Sequence, residues 1–130
     1  MKKQLGSIVL FITVSLVISA CGRWSDNIKL STKSAIFNSN GDSIIVTTGG
    51  NWWWLTDVAV DDIRYSNFDG VDVLADSYLV ELDCFIFERR DKNTIFIKLD
   101  PNLTGVKRTV IFYLEAGDYF DRITITQNSD

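Results

Sequence analysis

The sequence predicts an all-β protein: one β-sandwich of about seven to eight antiparallel strands, following an N-terminal signal peptide. Three observations carry this. Short β-branched and aromatic segments recur every 8–15 residues between Gly, Asn and Asp turn signals. Apolar residues alternate with polar ones at period two, as in half-buried strands. No segment after the signal sustains a helical apolar period.

The start reads as an export signal. Lys2 and Lys3 precede an apolar run over residues 5–18, and small residues lead into Cys21. The run is shorter than the roughly 20 residues a spanning helix needs. A charged start, a short apolar stretch and small residues before a cut describe a secretory signal. Ile18-Ser19-Ala20-Cys21 matches a lipobox. In that reading the Cys21 thiol takes a diacylglyceryl group, cleavage frees its amine, and acyl chains such as palmitate hold the chain to a membrane. Each buried methylene contributes about 0.8 kcal/mol. The expected organisation is residues 1–20 as removed signal, 21–27 as lipidated tether, and 28–130 as the domain. The expected location is the cell envelope, lipid-anchored at the outer membrane and facing either the periplasm or the surface.

The signal holds two of the 13 basic residues and no acid. The mature chain therefore carries 11 basic against 17 acidic residues, a net charge of −6. That balance disfavours nucleic acid as a partner. With Cys21 lipidated, Cys84 is left without a disulfide partner, so the domain must hold by packing.

The elements follow in order. Ser43–Thr48 is a β-branched strand after the turn Asn40-Gly41-Asp42, and Gly49-Gly50-Asn51 ends it. Trp52–Val60 is the next strand. Strict alternation places Trp52, Trp54, Thr56, Val58 and Val60 on the core face, and Trp53, Leu55, Asp57, Ala59 and Asp61 on the solvent face. Residues 62–77 are irregular, with a short strand near Val71–Leu74. Tyr78–Arg89 is a long strand with Val80, Leu82, Cys84 and Ile86 towards the core. After the charged turn Arg89–Asn93 come Thr94–Leu99, Arg108–Glu115 and Arg122–Gln127, with Ala116-Gly117-Asp118 joining the last pair.

The C-terminal half carries a resemblance. Asn102-Leu-Thr-Gly105-Val-Lys-Arg108 leads into an alternating strand, and Ile123-Thr-Ile-Thr-Gln127 closes the chain. Upstream, Ile44–Thr48, a Gly turn and a Trp-bearing strand come in matching order. Residues 28–130 thereby resemble the BACON family, an immunoglobulin-like sandwich of exported proteins in Bacteroidetes-type bacteria. The acidic middle, and Cys84-Phe85-Ile86-Phe87 where a second Trp is expected, depart from the pattern. The family's name implies carbohydrate binding. Asn102, Arg108 and Gln127 are read as structural: a side-chain-to-backbone bond at a turn, a guanidinium on loop carbonyls, and closure of the last strand.

Trp52-Trp53-Trp54 is the most unusual local feature. Alternation turns at least one indole away from the core. Trp53, with Trp24 and Tyr65, is the candidate ligand surface, a flat apolar face for a sugar ring or a protein partner. The structural reading has Trp52 and Trp54 filling the core and Trp53 covered by the acidic middle loop.

No catalytic residue is expected. The chain contains no His, which removes Ser-His-Asp triads and the usual zinc and copper sites. Asn67–Asp72 lacks the spacing of a calcium loop, no carboxylate pair is marked for glycoside hydrolysis, and no phosphate-binding glycine loop occurs. Cys84 lies in an apolar stripe without an activating base. No metal or cofactor is expected. The function expected is a non-catalytic binding module for a glycan, and the alternative is a spacer or accessory lipoprotein with an envelope protein partner.

Overall fold

The computed structural model describes residues 25–130. The signal, Cys21 and Trp24 lie outside them. The described residues form nine strands and no helix: β1 (Ser34–Phe37), β2 (Asp42–Thr47), β3 (Trp54–Val60), β4 (Ile63–Ser66), β5 (Tyr78–Leu82), β6 (Phe85–Asp91), β7 (Thr94–Leu99), β8 (Arg108–Ala116) and β9 (Tyr119–Gln127). They make two sheets. One has the order β1-β9-β8-β3-β4 and the other β2-β7-β6-β5. All pairings are antiparallel except β1 with β9. The all-β sandwich expected from the alternation is present.

The core lies between the sheets. Val58, Val110, Phe112, Ile123 and Ile125 meet Val46, Val80, Phe87, Ile95 and Ile97, all buried. Phe112 links the layers, with its ring centroid 5.6 Å from that of Phe85 and 5.4 Å from that of Phe87. Each such side chain contributes about 1.5–3 kcal/mol on burial. Cys84 is buried and unpaired, so no disulfide staples the described residues.

Two expectations about facing are corrected. In β3 the register against β8 shifts between Leu55 and Asp57. Thr56 is the extra residue of a β-bulge, and it reverses the alternation. Trp53 and Leu55 point inwards before the bulge, and Val58 and Val60 after it. Trp52 and Trp54 therefore do not fill the core. The expected strand Tyr78–Arg89 is a hairpin. Leu82 pairs with Phe85 across the two-residue turn Asp83–Cys84, where Asp83 takes a left-handed φ of 47°. Phe85 and Phe87 become core residues, while Ile86 turns outwards. Residues 71–74 form no strand, with a turn at 73–74, and the strand in that region is β4.

At one end of the sandwich the residues read as structural form a network. Arg108 Nε donates to Gln127 Oε1 at 2.8 Å, and its Nη2 donates to the Asp100 carbonyl at 2.9 Å. Gln127 Nε2 donates to the carbonyls of Asn38 and Asp100. Asn102 Nδ2 donates to the carbonyls of Val106 and Asn128. These side chains are buried, and the loop carbonyls they satisfy would otherwise be left without partners.

Candidate functional site

The tryptophan triple sits at the opposite end from that network, where β3 begins. Trp53 is 1% exposed. Its indole Nε1 donates to Thr48 Oγ1 at 3.1 Å, and the Arg89 guanidinium lies 3.8 Å above its ring. It is a core residue and offers no surface to a ligand. Tyr65 is separate from it. It pairs with Val58 on β3, its ring meets Phe85 edge-on, and its hydroxyl donates to Asp83 at 3.1 Å. Burial and the neighbouring carboxylate push that phenol above its ordinary value. Trp24, the third candidate, lies outside the described residues.

Trp52 and Trp54 take the place expected of Trp53. Trp52 is 65% exposed. The two rings meet edge-to-face, with centroids 5.5 Å apart at 71°. Trp52 rests on Gly117, in the turn between β8 and β9, where an added Cβ would stand 3.3 Å from the indole. Trp54 pairs with Glu115 and so faces outwards from the five-stranded sheet. It also walls a cavity of about 560 Å³ with Thr56, Asn67, Phe68, Asp69 and Gly70. Aromatic surface thus adjoins an amide and a carboxylate, a combination that suits a ligand with an apolar face and polar rim.

The segment bearing Trp52 is held from below. Arg89, 2% exposed, donates through Nη1 to the Trp53 carbonyl at 2.7 Å and through Nη2 to those of Asn51 and Lys92, both at 2.8 Å. The two carbonyls flanking Trp52 therefore share one guanidinium. Burial lowers the Arg89 pKa from its ordinary value, and its Nε is buried without a partner. Asn93 Nδ2 donates to the carbonyls of Thr48 and Gly50. Gly50 admits no side chain, because a Cβ there would overlap the Asn27 carbonyl. A clamped loop presents Trp52 with little ordering left to do on binding.

Three acids of the middle region serve local structure. Asp57 pairs with Arg64 at 3.1 Å, Asp61 accepts from the Thr109 amide, and Asp72 accepts from the Leu74 amide. Among the described residues no three Cys, Asp or Glu side chains converge on one point. No described helix is long and apolar enough to cross a membrane.

The site was displaced from the sequence reading by the bulge. Its signal was present in the spacing of the apolar residues: 53, 55, 58 and 60 break phase by one at the Thr56-Asp57 pair.

No protein-family model matches the chain, and no curated protein matches it in sequence. Two solved structures are similar in fold. One is an NMR structure of a protein from Bacteroides thetaiotaomicron, 16% identical, covering 84% of this chain and 92% of that one, with a TM-score of 0.66. The other is a Bacteroides ovatus GH5 xyloglucanase in complex with a XXXG heptasaccharide, 13% identical, covering 79% of this chain, with a TM-score of 0.50. This chain spans 19% of the xyloglucanase chain, a fraction of that protein's length. At these identities the shared property is the fold: an all-β architecture that occurs in one case as nearly a whole chain and in the other as part of a larger enzyme.

Proposed function

We propose that this chain is a lipoprotein, anchored through Cys21 at the cell envelope, whose BACON-like sandwich is a non-catalytic glycan-binding module. The observation that carries the binding role is the exposed Trp52 set edge-to-face with Trp54 beside a cavity of mixed apolar and polar lining. An exposed indole paired with a second one, on a loop clamped by a buried arginine, offers a flat, pre-ordered apolar face of the kind that suits recognition. A sugar ring offers an apolar C–H face to the Trp52–Trp54 pair, and the cavity walled by Trp54 supplies Asn67 and Asp69 for hydroxyls. The xyloglucanase of similar fold acts in a glycan context, which supports testing plant glycans.

The test is calorimetric titration of residues 22–130 against mucin-type glycans and plant glycans, xyloglucan included. The parent is expected to bind one class, and Trp52→Ala to weaken that binding about tenfold or more. Equal binding by parent and variant removes the proposal.

The second reading, a spacer or accessory lipoprotein with an envelope protein partner, is favoured by β5. It is an edge strand with Leu79 and Leu82 exposed, a surface open to strand addition. Crosslinking in the envelope would then recover one consistent protein through β5.

A further inference from the structure

The proposed site does not end at Trp54. Register places Trp54, Glu115 and Phe120 in one row across β3, β8 and β9, all on the outward face of the five-stranded sheet. Phe120 is 67% exposed. A second depression, of about 290 Å³, lies at its foot, lined by Tyr113, Phe120, Asp121 and Arg122. The next row is Asp57, Tyr113 and Arg122. Trp54 and Phe120 are two strand spacings apart, about 10 Å. That separation matches a ring and the next but one along a β-1,4-linked chain, so a disaccharide cannot reach both.

Most of the charge on this face is paired. Asp57 pairs with Arg64, whose guanidinium lies 4.5 Å over the Tyr113 ring, and Asp121 pairs with Lys33 at 3.0 Å. Glu115 and Arg122 offset each other in sign. Asp69 adds a carboxylate at the Trp54 end, so an acidic ligand gains nothing from such a surface. A protein partner also fits poorly, because Glu115 stands between the two aromatic residues and interface cores are depleted of charge. An uncharged chain of hydroxyl-rimmed rings fits both the aromatic residues and the polar groups set between them.

We infer that the two depressions are subsites of one extended site, crossing the strands from Asn67 and Trp54 to Phe120, for a linear, uncharged polysaccharide with a flat β-1,4-linked backbone. This rests on the glycan-binding reading and narrows it to a class of chain. A straight row of side chains on an open sheet face suits a ribbon-like chain, whereas a compact branched glycan would touch one end alone.

The experiment measures affinity against chain length. The full chain, in a non-glycosidic detergent, is titrated with mono- to hexasaccharides of β-1,4-linked glucose, xylose, mannose and N-acetylglucosamine. In at least one series the hexasaccharide is expected to bind about tenfold tighter than the disaccharide. Phe120→Ala is expected to erase that gain, a loss of about fivefold to tenfold, and to leave disaccharide affinity unchanged. Leu103→Ala, at an even more exposed apolar residue outside these two rows, should change nothing. Affinity independent of length, or a gain that survives Phe120→Ala, overturns the extended site while leaving glycan binding at Trp52 in place. Binding of mucin-type glycans with no binding of any β-1,4 series does the same. No binding of any glycan overturns both.

Discussion

Trp53 and Trp52 are adjacent, and their substitutions should separate stability from binding. Trp53→Ala empties a core position, removes a donor to Thr48 and leaves Arg89 without its ring. It is expected to cost about 3–5 kcal/mol in denaturant unfolding. Trp52→Ala touches little of the core and should stay within about 0.5 kcal/mol while losing binding. Arg89 connects the two. Arg89→Met keeps the bulk yet strips donors from the carbonyls of Asn51, Trp53 and Lys92. A loss of about 2–4 kcal/mol is expected, with weakened glycan affinity because Trp52 is no longer held. Tyr78 supplies a pH dependence. Burial pushes its phenol from 10.0 up to about 12, while the Leu55 amide and Arg89 pull the other way. The folded state then keeps a proton that the unfolded chain releases. Its contribution is fully present below pH 10 and is lost as the pH rises to about 12. The unfolding free energy from denaturant titration should fall across that window by an amount on the order of 2–3 kcal/mol, and Tyr78→Phe should flatten the fall.

Among the elements, β3 shows how one residue decides a face. Deleting Thr56 would restore strict alternation and force either Trp53 and Leu55 or Val58 and Val60 out of the core. The variant is expected to lose its dispersed amide spectrum and cooperative melting. Thr56→Val keeps the residue count and removes one bond to the Tyr113 carbonyl, a cost of about 1 kcal/mol. Most strands were legible from alternation: β7 coincides with the expected Thr94–Leu99, and β2 and β8 differ by one residue at their ends. The short edge strands β1 and β4 were not, because four residues at a sheet edge carry little pattern. The turn at Asp83–Cys84 was hidden for another reason. Asp83 is a turn former but stands alone beside Cys84, and apolar residues continue on both sides, so the hairpin reads as one long strand.

For the whole molecule, the consequence of an unpaired Cys84 is measurable. Burial raises its pKa and the surrounding core blocks access. A thiol reagent should therefore modify Cys84 only at the rate of global opening, and the melting temperature should be the same with and without reductant. Faster modification under native conditions would show that the Asp83–Cys84 turn opens locally.

What the sequence by itself determined is the class of the protein: two-faced strands, turn positions, and polar residues such as Asn102, Arg108 and Gln127 whose chemistry already implied loop closure. Those features are local, and alternation or hydrogen-bonding capacity reads them directly. Which tryptophan meets solvent was decided only in three dimensions. The pairing of Leu55 with Leu114 and of Asp57 with Tyr113 leaves Thr56 over, and that single residue turns Trp53 inwards and Trp54 outwards. The row from Trp54 to Phe120 likewise joins positions distant in the chain, which only the order of the strands brings onto one face.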